Sequence, residues 1–213
     1  QLKKRVGLKS NKEVEEYFIR RMADSVASIN GKIIVWDEMV NANLAKDRTL
    51  MMWWRHDKPE QLNEILDKGY QTILTPRLPM YFDFVQQENH KYGRKWGKGF
   101  NPLQDVYNFA GSQLDSLGKR KKQILGIQAN LWTETVTNVN RLDYLVFPRI
   151  AALAEAAWVP GTGRDFNEFA NKLKKHLPLY RDQGLYYFDP FKDSNPEPAV
   201  IKKSQKQYID HPK

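Results

Sequence analysis

Two adjacent carboxylates, Asp37 and Glu38, follow a short apolar run in "KIIVWDEMV" (residues 32–40). A pair of acids at a strand end is the residue set that a hydrolase uses for general acid/base work. The apolar run itself ends on Trp36, and that ending recurs down the chain. "TLMMWW" closes on Trp53 and Trp54, the run "QTILT" leads to Tyr81 and Asp83, and "ILGIQANLW" reaches Trp132 and Glu134. Four strand ends in succession deliver aromatic rings, and two of them add a carboxylate. Packed layers inside a barrel of strands favour aliphatic side chains, so rings at every end point to a surface that meets a ligand. A sugar fits such a surface: its C–H face packs on rings and its hydroxyls donate to carboxylates.

The elements that must carry these residues are legible in the hydrophobic pattern. "SNKEVEEYFIRRMADSVASING" reads as a helix opened by a Ser10/Glu13 capping box and stopped at Gly31. Val14, Tyr17, Phe18, Met22 and Val26 fall on one of its faces. "KIIVW" and "TLMMWW" read as buried parallel strands, "KPEQLNEILDKGY" as a helix with Pro59 in its first turn and Gly69 past its end, and "QTILT" as a third strand. Residues 76–102 form a long irregular stretch rich in aromatics, a length that in a compact domain signals a functional or mobile loop. "PLQDVYNFAGSQL" predicts a short helix and "KQILGIQANLW" a fourth strand. "NRLDYLVFPRIAALAEAAW" follows as one apolar helix, and "RDFNEFANKLKKHLPLYRDQG" as a helix opened by Asp165. This alternation is that of an α/β protein with a parallel sheet. No glycine-rich phosphate loop follows any strand, which argues against a nucleotide-binding fold. A (β/α)8 barrel needs eight strands and about 250 residues; with four, the sequence reads as half of one.

Bulk properties narrow the function class. The 213 residues are 41% hydrophobic, carry a net charge of +9, and include six Trp, ten Tyr, ten Phe and no Cys. The absence of Cys removes disulfides, thiolate zinc sites and a Cys nucleophile. His56, His90, His176 and His211 are scattered with no i, i+4 pair, so no metal site is expected. The basic runs at 119–122, 172–175 and 202–206 are dispersed and read as solvated surface, not a nucleic-acid stripe. No run is long enough to span a bilayer. "QLKKRVGLKS" has neither Met nor an apolar h-region, so the chain is expected to begin inside something larger.

"VWDE", "MWWR", "YFDF" and "GIQANLWTE", followed by a helix with "PRIAALAEAAW", stand in the order and approximate spacing of family 20 glycoside hydrolases, the β-N-acetylhexosaminidases. The chain resembles that family over roughly residues 10 to 180, matching the second half of its catalytic barrel. The resemblance implies retaining hydrolysis without an enzymic nucleophile, the substrate's 2-acetamido oxygen attacking the anomeric carbon. It implies that Trp36, Trp54 and Trp132 wall the acetamido pocket and the sugar, and that Tyr81 donates to the acetamido carbonyl oxygen. Asp83 and Glu134 would accept hydrogen bonds from sugar hydroxyls. Trp53, whose side chain points opposite to that of Trp54, is assigned to packing against a helix. Glu155 is expected to pair with a neighbouring arginine such as Arg149, and Trp96 to be exposed or packed within its loop, with the border of an outer sugar subsite as the alternative.

One departure is decisive for the reading of Asp37 and Glu38. The family's catalytic Asp-Glu pair sits in a "GGDE"-like motif on an earlier strand, and no such motif occurs in this sequence. The strand that should bear it, and the family's substrate-binding arginine, would precede Gln1. Asp37-Glu38 is therefore expected not to be the acid/base dyad. Residues 1–185 read as the C-terminal portion of a catalytic (β/α)8 domain, and 186–213 as an extended tail or linker. The expected partners are N-acetylhexosamine-containing glycans and the N-terminal half of the barrel, with self-association through uncovered strand edges. No cofactor is implied, and the substrate class suggests export. The rival reading is a non-catalytic sugar-binding module derived from such an enzyme.

Overall fold

The computed structural model describes residues 1–159 and 163–199, apart from the side chains of Lys98 and Ser112. The basic run at 202–206, His211 and the end of the expected tail lie outside the described residues. The chain divides into two compact units, Gln1–Leu74 with Lys119–Gly126, and Thr75–Gly118 with Ile127 onward.

The first unit opens with a single turn at Leu2–Arg5 and then helix α1 (Asn11–Ser28). Ser10 Oγ accepts the Glu13 N–H at 3.1 Å, while the Glu13 carboxylate reaches back to the amide of Lys9, one residue before the usual partner. The helix ends one residue earlier than the glycine suggests, because Asn30 takes the left-handed conformation (φ 61°). Gly31 is required for a different reason. A Cβ there would stand 2.6 Å from Val26 Cγ1.

Strands β1 (Ile33–Trp36), β2 (Thr49–Trp53), β3 (Gln71–Leu74) and β4 (Ile124–Ile127) form one sheet in sequence order. β1 pairs parallel with β2 from Ile33↔Thr49 to Trp36↔Met52, and β2 with β3 from Leu50↔Gln71 to Trp53↔Leu74. Helix α2 (Pro59–Asp67) crosses from β2 to β3, burying Leu62, Ile65 and Leu66. Met51, Met52 and Trp53 are buried in β2, whereas Ile34 of β1 and Leu125 of β4 are more than half exposed. None of the residues of α1 is fully buried, and Phe18 is 58% exposed.

The second unit contains the long irregular stretch and helices α3 (Leu103–Asp115), α4 (Val139–Val146), α5 (Arg149–Trp158) and α6 (Phe166–Asp182). The single helix expected over 140–158 is two: Pro148 has no N–H to donate and its ring cannot follow residue 144 in a continuous helix, so α4 stops and α5 restarts after it. Ala152 and Ala156, the small residues of α5, are fully buried and let it pack closely on α3. Tyr107 of α3 stacks on Phe169 of α6 with ring centroids 4.8 Å apart. Asp165 opens α6 by accepting the amides of Asn167 and Glu168. Residues 186–199 run without helix or strand. Phe188 is buried against His90 and Tyr144, and the Glu197 carboxylate accepts the amides of Lys91 and Tyr92 and pairs with buried Arg141 at 3.2 Å.

Candidate functional site

In the first unit the acidic pair of "WDE" starts a short 3-10 turn, Asp37–Met39, directly after Trp36 at the end of β1. Asp37 is completely buried. Its Oδ2 accepts the amides of Trp54 (3.2 Å) and Arg55 (3.3 Å), and its Oδ1 accepts Arg55 Nε at 2.8 Å. The Asp37 carbonyl takes Gln61 Nε2 at 2.8 Å, tying the first turn of α2 to the same point. Burial pushes the Asp37 carboxyl up to about 6; Arg55 opposes the rise and the neighbouring Glu38 carboxyl adds to it. Glu38 Oε1 accepts the Trp54 indole N–H at 2.9 Å. The pair thus lashes the end of β1 to the residues just past β2 and sets the plane of the Trp54 ring. Trp53, on the other side of that strand end, is buried and donates its indole N–H to the Lys58 carbonyl.

In the second unit Tyr81, Asp83, Trp132 and Glu134 come together. Tyr81 bridges Asn130 as an isolated parallel pair: Asn130 N–H donates to the Met80 carbonyl, and Phe82 N–H to that of Asn130. This pairing brings the segment after β3 beside the segment after β4, with the Tyr81 and Trp132 rings 6.0 Å apart at 59°. Tyr81 is 5% exposed and Trp132 38%, so one ring lies in the floor and the other reaches solvent. Asp83 is fully buried, whereas the Glu134 side chain is 59% exposed.

One guanidinium joins the two acids. Arg94 Nη1 lies 3.0 Å from Asp83 Oδ2, and Arg94 Nη2 lies 3.4 Å from Glu134 Oε1. Burial pushes Asp83 up to about 6; Arg94 and the amides of Asp83 and Trp132 hold it down, and Glu134 adds slightly to the rise. Arg94 itself lies over the Trp96 ring at 4.6 Å, so Trp96 is packed within its loop.

A second arginine fixes the backbone at the same place. Arg149, fully buried in α5, donates to the carbonyls of Phe82 (2.6 Å), Phe84 (2.9 Å), Asn101 (3.1 Å) and Leu145. The expected Arg149–Glu155 pair does not form. Arg149 serves carbonyls instead, and Glu155 lies 4.0 Å from Lys172 Nζ on α6. Sequence reasoning found no sign of the roles of Arg55 and Arg94, and it pointed Arg149 to Glu155 instead of to carbonyls. Arg94 sits in "GRKWGKG", with no periodicity to place it, and its only signal was the length of the loop around it. Among the described residues no three His, Asp or Glu side chains group as metal ligands, and no helix is long and apolar enough to cross a membrane.

The chain matches the model of a known catalytic domain. The family model "Glycosyl hydrolase family 20, catalytic domain" covers residues 1–161. The chain belongs to glycosyl hydrolase family 20. A β-hexosaminidase of Porphyromonas gingivalis is 31% identical over 186 residues, 86% of this chain and 23% of that protein. The β-hexosaminidase subunit beta of Homo sapiens is 30% identical over 176 residues, 82% of this chain and 29% of that protein. The crystal structure of the family 20 exo β-N-acetylglucosaminidase of Vibrio harveyi in complex with N-acetylglucosamine superposes with a TM-score of 0.80 at 31% identity, covering 90% of this chain and 30% of that one. The chain therefore spans less than a third of the length of these family 20 relatives. Its four parallel strands with flanking helices are half of the family's (β/α)8 barrel.

Proposed function

We propose that this chain is the part of an exo-acting β-N-acetylhexosaminidase that holds the terminal sugar. The observation that carries the reading is the cluster in which Asp83 and Glu134 share Arg94 beside the Tyr81 and Trp132 rings. Two fixed acceptors next to two rings suit a pyranose carrying an acetamido group. Tyr81 is assigned the hydrogen bond to the acetamido carbonyl oxygen, which holds that oxygen in line for attack on the anomeric carbon. Asp83 and Glu134 accept from ring hydroxyls and Trp132 covers a face of the sugar, while Trp36 and Trp54 carry only the wall role that the family resemblance gives them. The reaction is retaining and substrate-assisted, with terminal β-linked N-acetylglucosamine or N-acetylgalactosamine as substrate.

The general acid is assigned to a part of the barrel outside these 213 residues. Asp37 is occupied by three N–H donors and Glu38 by an indole, which supports a positioning role for both over proton delivery to a leaving oxygen. Residues 1–185 would then act as barrel and 186–213 as a tail. The natural partner is the N-terminal half, and the setting is an exported enzyme acting on glycans. The test is an assay of the chain with an aryl N-acetyl-β-glucosaminide, alongside calorimetric titration with N-acetylglucosamine. Binding without turnover is expected. Turnover abolished by Glu38→Gln would overturn the assignment.

A further inference from the structure

Asp83 and Glu134 come from different segments, one nine residues past the end of β3 and the other seven past the end of β4, yet they meet the same guanidinium. Three features make that convergence more than a surface ion pair. Arg94 is 4% exposed. Its backbone is locked to the Asp83 segment, with Arg94 N–H on the Asp83 carbonyl (3.0 Å) and Val85 N–H on the Arg94 carbonyl (3.2 Å). The guanidinium plane is backed by the Trp96 ring, which Phe84 meets edge-on at 5.8 Å and which Arg77 also approaches at 5.3 Å. A buried charge set between two acids draws both toward one point by electrostatic attraction.

We propose that Arg94 is a positioning residue of the sugar site, placing one guanidinium between the Asp83 and Glu134 carboxylates so that Asp83 serves as an acceptor for a sugar hydroxyl. The proposal rests on the sugar-hydroxyl reading of those two acids. Its chemistry is specific. A buried carboxyl left alone takes up a proton and then offers a donor where a sugar hydroxyl needs an acceptor. The charged groups facing Asp83 are Arg94 from its own loop, Glu134 from the segment after β4, and Arg149 from α5. Arg149 is committed to backbone carbonyls, so Arg94 is the cation in direct contact with the acid. Glu134 competes for it.

The experiment is a carboxyl-carbon NMR titration of Asp83, its signal identified by loss in Asp83→Asn, together with N-acetylglucosamine affinity measured from pH 4.5 to 8. In Arg94→Met the Asp83 midpoint should rise by about 1–3 pH units, as removal of a contacting cation predicts. The acid limb of sugar binding should move with it, affinity returning above the new midpoint when the measurements are extended to pH 10, and Arg94→Lys should restore much of the wild-type profile. Glu134→Gln, at an exposed position that folding tolerates, should move the Asp83 midpoint down, and it decides the matter if Arg94→Met does not fold. An unchanged Asp83 midpoint in a folded Arg94→Met, an unchanged or raised midpoint in Glu134→Gln, or affinity lost equally at all pH values would overturn the proposal. If the wild type binds no sugar at any pH, the sugar reading falls, and the Asp83 titration alone still judges whether Arg94 holds Asp83 as an anion.

Discussion

Glu38 Oε1 accepts the indole N–H of Trp54 at 2.9 Å, so a residue that looks like a catalytic acid is engaged in aiming a ring. Removing the acceptor leaves a partly buried indole N–H without its partner, at a cost of about 1–3 kcal/mol. Glu38→Ala should therefore lower stability by that order and weaken N-acetylglucosamine binding, whereas Glu38→Gln, which retains an oxygen at the same reach, should change both little. Urea denaturation and calorimetric titration of the two variants provide the comparison.

Asp83 and His90 predict opposite pH trends. The folded Asp83 carboxyl titrates near 6 against 3.8 in the reference state, so the folded form holds its proton more tightly and stability is lost as pH rises from about 4 to about 6. His90, buried against Tyr144 and Phe188, is pushed down from 6.5 to about 4, so stability is lost as pH falls through that window. Each effect is on the order of 3 kcal/mol. Asp83→Asn should make thermal stability fall more steeply on acidification than in the wild type, and His90→Gln should make it fall less steeply. Calorimetric Tm values between pH 4 and 7 distinguish the two slopes.

Sugar binding carries the Asp83 titration with its own sign. The acceptor is the carboxylate, so N-acetylglucosamine affinity should weaken as pH drops through about 6. Asp83→Asn should bind on the order of tenfold or more weakly at pH 8, the loss expected when a charged acceptor is removed. It should also abolish the acid limb.

Glu197 joins residues 186–199 to the loop at Lys91 and Tyr92 and neutralises buried Arg141. Glu197→Ala strands that charge. Breaking a buried pair costs about 3–5 kcal/mol, offset here by the Arg141 bonds to the carbonyls of Pro198 and Tyr92. Hydrogen exchange should accelerate at the Lys91 and Tyr92 amides in the variant, while amides in β2 remain unchanged.

The sequence made the strands and the aromatic endings legible because both are local signals: β-branched runs, a ring at the end, a helix cap. Ser10, Asp165 and Pro59 placed helix starts correctly for the same reason. The break before α5 was missed because the apolar periodicity runs across Pro148 without interruption, and only the missing N–H and the ring's bulk stop the helix. The candidates Tyr81, Asp83, Trp132 and Glu134 follow from motif and position, and the second unit brings these four together. The organising arginines do not follow from either. Arg55 reaches Asp37 across 18 positions, and Arg149 reaches Phe82 across 67, separations at which no local pattern exists.

Arg149 has a geometric consequence. The carbonyls of Phe82 and Phe84, two residues apart, point to its guanidinium, and the Asp83 carbonyl between them points the other way, to Arg94 N–H. That alternation is the repeat of a strand. Residues 82–84 therefore behave as a short strand, with the Arg94 backbone on one edge and the Asn130 backbone together with the Arg149 side chain on the other. An acid that must be held still is thus fixed without lengthening the sheet or opening another edge.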